Sequence, residues 1–360
     1  MPVSNGLPKY KQILDELRRE IQTGRHKPGD RLPSEADLGT KHDVSRLTIQ
    51  RVLKELQIED LIERRAGSGT YVRRKIEVPG HLFGLLIPGL GETEIFEPIC
   101  QGMAKAGRSG GHALLWGDTT QGSAGREHQA RQLCADYIDR KVSGVFFAPI
   151  ELLRNKDEVN HSIAEALSSA GIPIVLLDRC VRKYPERSRF DLVGIDNRRI
   201  GCRITNHLLS QGVVNPIFFD RPYSAPTVDA RARGFLDAYP EGQIVDGEPA
   251  DRSFVRGVME RYHPDGIVCA NDVTAATLMQ SLDEIGYRVP DSVRITGIDD
   301  VRYANLLTVP LTTMRQPCLE LGEMAIHLML SRIAQPDLPT RDLLLDCKLI
   351  VRQSCGAKSV

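Results

Sequence analysis

This chain of 360 residues has no net charge, no closely paired cysteines and no apolar run fit to span a membrane. Its eight cysteines, at positions 100, 134, 180, 202, 269, 318, 347 and 355, contain no Cys-x-x-Cys pair. Most fall inside apolar stretches, where a free thiol behaves as a small hydrophobe, so they read as structural. No run approaches the roughly 18–20 apolar residues that a membrane helix needs. The opening Met1-Pro2-Val3-Ser4-Asn5-Gly6 lacks the basic-then-apolar order of a secretory signal. A reduced, cytoplasmic protein without a membrane partner is expected. Catalytic signatures are also missing: no Walker A loop, no His-Glu-x-x-His and no complete G-x-G-x-x-G. Gly107-Arg108-Ser109-Gly110-Gly111 fits G-x-S-x-G by its letters. It lies where a helix runs into a strand, the reverse of the order a nucleophile elbow requires. No catalytic residue, cofactor or metal is expected.

The zero net charge conceals a split. Residues 1–75 hold 16 basic against 11 acidic residues, and the remainder holds 31 against 36. A basic module on an acidic body is the pattern implied. Tyr10, Ile13, Leu14, Leu17 and Ile21 mark one face of a first helix, which Gly24 and Pro28-Gly29-Asp30 bring to an end. Ser34, with Asp37 three residues on, predicts the cap of a second helix. Asp43-Val44 forms a turn and Ser45 caps a third. Ile49, Val52, Leu53 and Leu56 face inward on that helix, leaving Arg46, Leu47, Thr48, Gln50 and Arg51 near its exposed start. Leu61–Arg65 and Thr70–Arg73 flank the glycine-rich tip Ala66-Gly67-Ser68-Gly69, which predicts a hairpin. Three helices and a hairpin make a winged helix-turn-helix. Arg64, Arg65, Gly67 and Ser68 on the wing suit phosphates or a minor groove, and Arg46, Thr48 and Gln50 suit base edges or backbone in a major groove.

Leu7-Pro8-Lys9-Tyr10, Pro28-Gly29-Asp30-Arg31-Leu32-Pro33-Ser34-Glu35, Val44-Ser45-Arg46-Leu47-Thr48 and Gly67-Ser68-Gly69-Thr70-Tyr71-Val72 together resemble the GntR-type winged-helix regulators. The resemblance implies DNA contacts at Arg46, Thr48, Gly67 and Arg65. Family members often carry arginine where this chain has Ala36 and Gln50. The expected domain covers residues 1–74, followed by a short linker, 75–80.

From His81 the pattern becomes short, fully apolar strands alternating with amphipathic helices, among them Leu82–Pro88, Gly144–Pro149, Pro173–Asp178, Gly266–Cys269 and Arg294–Ile298. Such alternation predicts parallel sheets covered on both faces, α/β in class. Roughly ten strands are too many for one compact sheet, so two doubly wound lobes are expected. Ligands in such sheets sit at the carboxyl ends of strands, which singles out Asp178, Asn271-Asp272 and Asp299-Asp300. Successive side chains leaving a strand point to opposite faces, so Asp299 and Asp300 do not share one ion. A cap or salt bridge is the expectation for Asp300.

Ala270-Asn271-Asp272, Gly286–Asp291, Gly297-Ile298-Asp299-Asp300, Pro310–Pro317 and Arg231-Ala232-Arg233-Gly234-Phe235 resemble the LacI-type effector domain of the periplasmic-binding-protein superfamily. That resemblance implies one body, 81–360. Lobe one is expected at about 81–192 and 318–344, lobe two at about 193–317 and 345–356. It further implies a small ligand held between lobes by Gly89, Leu90, Asp178, Arg231, Asn271, Asp299 and Gln316. Arg252 is expected where sugar-binding relatives often place an aromatic plate, which admits a more acidic ligand. Arg231 and Asp299 suit vicinal sugar hydroxyls; the alternative is a structural ion pair. A homodimeric repressor of sugar-use genes on double-stranded operator DNA, released by a monosaccharide, is the expected function. A nucleobase effector, a sugar-modifying enzyme with a DNA-binding appendage and a solute receptor are the alternatives.

Overall fold

The computed structural model describes residues 8–59, 61–65, 68–72, 80–87, 95–117 and 125–357. The chain divides into two compact units, Met1–Val78 and Pro79–Val360. Three helices build the first, α1 (Lys9–Gln22), α2 (Glu35–His42) and α3 (Arg46–Ile58), with a hairpin of β1 (Ile62–Arg65) and β2 (Gly69–Val72). Ser34 and Asp37 form the reciprocal capping box at the start of α2. Asp43, in the left-handed region at φ 50°, turns the chain, and Ser45 caps α3 by accepting from Thr48 N. Ile13, Leu14, Leu17, Leu38, Ile49, Val52, Leu53 and Leu56 close one core beneath the hairpin residues Ile62 and Val72. Leu32 N donates to Thr70 O and Val72 N to Asp30 O, so the segment after α1 is bridged to β2 where Arg31 lies opposite Tyr71.

The second unit begins with β3 (Leu82–Leu86), α4 (Phe96–Ser109), β4 (Ala113–Trp116), α5 (Arg126–Asp139), β5 (Gly144–Phe147), α6 (Lys156–Ser169), β6 (Ile174–Leu177) and β7 (Asp191–Ile195). It continues with α7 (Asn197–Ser210), β8 (Pro216–Asp220), α8 (Pro226–Ala238), β9 (Gln243–Asp246), α9 (Arg252–Tyr262), β10 (Gly266–Cys269), α10 (Asp272–Glu284), β11 (Arg294–Asp299) and β12 (Thr312–Arg315). Last come α11 (Cys318–Ala334), β13 (Asp342–Leu345) and β14 (Lys348–Ile350). The strands form two six-stranded sheets, β4-β3-β5-β6-β7-β13 and β9-β8-β10-β11-β12-β14. All pairings are parallel except β14 against β12.

Burial on both faces explains the apolar runs. In β5, Phe146 points into one core while Val145 and Phe147 point into another; in β8, Phe218 and the pair Ile217 and Phe219 divide the same way. The chain passes between lobes three times, after β7, between β12 and α11, and between β13 and β14. The first passage falls after Ile195, a few residues beyond the boundary expected at about 192. β7 is laddered to β6 and β13, which commits Val193, Gly194 and Ile195 to lobe one. Among the described residues no helix is long and apolar enough to cross a membrane.

Candidate functional site

In the first unit the exposed start of α3 carries its side chains in distinct states. Ser45 Oγ is occupied as the cap and lies 2.9 Å from Thr48 Oγ1. Leu47 stands 77% exposed. Arg46 Nε and Gln50 Nε2 both donate to Glu35 Oε2, at 2.9 and 3.0 Å, and Arg64 Nη2 donates to Glu35 Oε1 at 2.7 Å. The bonds from Arg46 and Gln50, with the charge of Arg64, hold the Glu35 carboxyl below its ordinary range. Arg46, Gln50 and Arg64 are thus brought together; Arg51 and Arg65 are drawn off. Arg51 lies over the Tyr10 ring at 4.1 Å, and Arg65 lies over Tyr71 at 4.6 Å while pairing with Glu63 at 2.5 Å. Ser68 Oγ is 2.7 Å from the Tyr71 hydroxyl. Gly67 lies outside the described residues, as do residues 75–79 of the expected linker. Glu35 escaped the sequence reading because an acid in the first turn of a helix looks like an ordinary dipole partner.

In the second unit the strand ends build a buried polar cluster. Arg231, on α8, is 4% exposed. Its Nε donates to Asn197 Oδ1 at 2.8 Å, its Nη1 to Ala270 O at 2.6 Å, and its Nη2 lies 3.7 Å from Asp299 Oδ1. Two glycines make that reach possible. A Cβ at Gly201 would overlap the Arg231 carbonyl oxygen, and one at Gly234 would overlap that of Arg198, so α7 and α8 touch backbone to backbone. Gln316 Nε2 donates to Asp299 Oδ1 at 2.7 Å. Asn271 caps α10 by accepting from Thr274 N at 2.9 Å. Beneath them Asp272, fully buried, accepts from Thr313 Oγ1 at 2.6 Å and from Val301 N at 3.0 Å, fixing the turn that follows Asp299.

Lobe one contributes Asp178, Arg179 and Glu151. Arg179 Nε donates to Asp178 Oδ2 at 3.0 Å, and its Nη1 lies 2.5 Å from Glu151 Oε1. Burial opposes the Arg179 charge, but Glu151 and Asp178 more than offset it and raise its pKa. The Phe96 ring lies 5.5 Å from the same guanidinium. The lobes meet here electrostatically. Burial pushes Asp299 above its ordinary range against the pull of Arg231 and Gln316, and the charges of Asp178 and Glu151 add to that rise. Within this cluster, among the described residues, two buried acceptors have no hydrogen-bond partner, Asp178 Oδ1 and Gln316 Oε1. Asp178 and Asp299 hold left-handed backbones, φ 67° and 129°, the kind of strain that clusters at ligand sites. A cavity of about 540 Å³ opens beside Asp299 and Gln316, walled by Ile95 and Pro98 of lobe one.

Arg252 is a correction. It pairs with Glu284, the last residue of α10, and its side chain is 64% exposed. Asn271 caps the other end of that helix, about 20 Å away at 1.5 Å per residue, so Arg252 does not join the cluster. Phe254 also turns away, packing edge-on against Phe219. Gly89 and Leu90 lie outside the described residues. Asp300 makes salt bridges, as expected, with Arg315 at 2.5 Å and Arg352 at 2.6 Å, tying the end of β12 to the segment after β14. Ser109 ends α4 and donates to Ala106 O, which leaves it no elbow geometry. Arg179, Glu151 and Asn197 were missed; the first was within reach, since it directly follows Asp178 at a strand end.

Comparison with known proteins matches residues 9–72 to the gntR family of bacterial regulatory proteins and residues 205–355 to the periplasmic binding protein-like domain. An arabinose metabolism transcriptional repressor of Geobacillus stearothermophilus is 27% identical, over 97% of this chain and 98% of its own. A ribose operon repressor of Halalkalibacterium halodurans is 24% identical, over 88% and 96%. Among solved structures, a LacI family regulator of Enterococcus faecalis with bound ribose aligns with a TM-score of 0.62 at 27% identity, over 76% of this chain and 98% of that one.

Proposed function

We propose that this chain, whose head matches the gntR family and whose body matches the periplasmic binding protein-like domain, is a transcription regulator that represses sugar-use genes and is released from DNA by a neutral monosaccharide. The observation that carries the ligand class is the pair of buried, unpartnered acceptors, Asp178 Oδ1 and Gln316 Oε1, one from lobe one and one from an interlobe passage. A buried acceptor left without a donor costs about 1–3 kcal/mol, and a ligand hydroxyl placed against each removes that cost. The carboxylate of an acidic ligand accepts and cannot donate, so it satisfies neither oxygen. It would also place its charge beside three carboxylates already gathered here, Glu151, Asp178 and Asp299. The two relatives named for arabinose and ribose, and the neighbour with bound ribose, support a pentose.

The mechanism is one of binding, carried out in the cytoplasm without catalysis. The sugar bridges Asp178 and Arg179 of lobe one to Arg231 and Asp299 of lobe two, and so favours one relative orientation of the lobes. In a two-fold dimer that orientation sets the spacing of two heads against two half-sites, and the ligand's differential affinity for the two orientations is the energy available for release. The test is a thermal-shift panel of L-arabinose, D-ribose, a hexose, a hexuronate and hypoxanthine, followed by gel shifts on operator DNA with whatever binds. A neutral pentose that raises the melting temperature and frees the DNA is expected. Stabilisation by the hexuronate or the purine alone refutes the ligand class.

A further inference from the structure

Glu35 stands where three recognition groups converge. It opens α2 but does not cap it, since Ser34 and Asp37 form the capping box between them. Its two oxygens accept instead from Arg46 and Gln50 on α3 and from Arg64 on β1. Arg46, with a side chain 77% exposed, is held through Nε alone among the described residues, which leaves both terminal nitrogens of its fork for DNA. Arg64 is likewise held by one terminal nitrogen. Gln50 is held by its amide nitrogen, and that decides which way the amide faces. A glutamine free to spin meets different base edges with either end. A pinned one offers a single order, one remaining N–H beside an accepting Oε1. That order complements the N7 acceptor and N6 donor of adenine in a major groove.

We infer that Glu35 is the positioning residue that sets sequence specificity, pinning Arg46, Gln50 and Arg64 into one comb in which Gln50 reads an adenine. The inference rests on the DNA-binding role of the head and adds how a sequence is chosen. Removing Glu35 has opposite effects on two quantities. It frees two guanidiniums from a neutralising carboxylate, which strengthens attraction to any phosphate backbone. It also lets the Gln50 amide turn, which weakens the preference for one base.

The test uses the full chain. Wild-type protein first selects its site from a random pool of duplexes. Wild type, Glu35→Ala and Glu35→Gln are then titrated against that site, against the site altered at each A·T pair, and against unrelated duplex. For Glu35→Ala the ratio of specific to unrelated affinity should fall about tenfold, a little over the least that one bidentate base contact supplies. Its affinity for unrelated duplex should hold or rise, and discrimination should vanish at one A·T pair per half-site. Glu35→Gln, which keeps the shape and one accepting oxygen, should retain part of the ratio. An unchanged ratio in Glu35→Ala overturns the inference. So does a parallel fall in both affinities, the mark of a head that has merely been destabilised. A wild-type protein that selects no site overturns the regulator reading and this inference with it, whereas selection with an unchanged variant ratio overturns this inference alone.

Discussion

Replacing Arg231 with lysine keeps the charge and removes the fork. In the wild-type cluster one guanidinium serves Asn197 Oδ1, Ala270 O and the Asp299 carboxylate at once. A lysine ammonium on a flexible stem satisfies one of these and leaves the others unpaired. Charge-assisted hydrogen bonds contribute about 1.5–3 kcal/mol each, so losing the contact that orients the sugar should weaken its binding by about 2.7 kcal/mol, or roughly a hundredfold. The consequence is read by melting the protein with and without the sugar. At a ligand concentration of about 100 times the wild-type dissociation constant, binding stabilises the wild-type domain by about 2.7 kcal/mol and the variant by about 0.4 kcal/mol. At about 2–4 °C per kcal/mol for a domain of this size, the wild type should shift by about 5–11 °C and the variant by about 1–2 °C. DNA binding in the absence of sugar should be unchanged. A variant that shifts as far as the wild type at the same sugar concentration refutes the placement of Arg231 in the ligand site.

Other outcomes follow from the same contacts. Arg46→Ala should weaken specific operator binding by about 1–3 kcal/mol in a gel-shift titration while leaving the melting temperature of the head unaltered. Asp191, fully enclosed and bonded to both Arg332 and Arg341, should cost about 3–5 kcal/mol when replaced by alanine, measured by urea unfolding. Although burial alone would raise the Asp191 pKa, Arg332 and Arg341 bring it below its ordinary value. Its contribution is therefore complete above the unfolded carboxyl's pKa and lost as pH falls through the lower folded value; acid titration of wild type against Asp191→Asn checks this. Gly234→Ala should force α7 and α8 apart, lowering both stability and sugar affinity; a variant with normal calorimetric binding would show that the glycine contact does not position Arg231.

Much of this molecule was legible in local pattern because the deciding forces are local or periodic. Ser34 with Asp37, and Ser45 before an apolar-periodic stretch, announce helix starts through backbone donors within one turn. Strands such as Gly144–Phe147 are apolar throughout because both sheet faces are covered, and that burial is visible in four residues. What failed depended on contacts far along the chain. Arg252 was assigned by position in a motif, yet its partner Glu284 lies on the next helix, and no local rule foretells that pairing. Glu35 was passed over for a like reason: its donors come 11, 15 and 29 residues later. The lobe boundary was misplaced by a few residues because β7 is defined by its pairing with β13, some 150 positions away.

The three interlobe passages also set an order of events during synthesis. The head's core is complete once Val72 has been made, since among the described residues Val72 is the last side chain in it. Neither sheet of the effector domain is complete until the chain returns for β13 and then β14, ending at Ile350. At a synthesis rate of about 5–20 residues per second, that interval lasts about 14–56 seconds. During it, a nascent chain carries a finished DNA-reading head and no means of sensing sugar. On the proposed function, each new molecule is able to touch DNA before it can be told to let go.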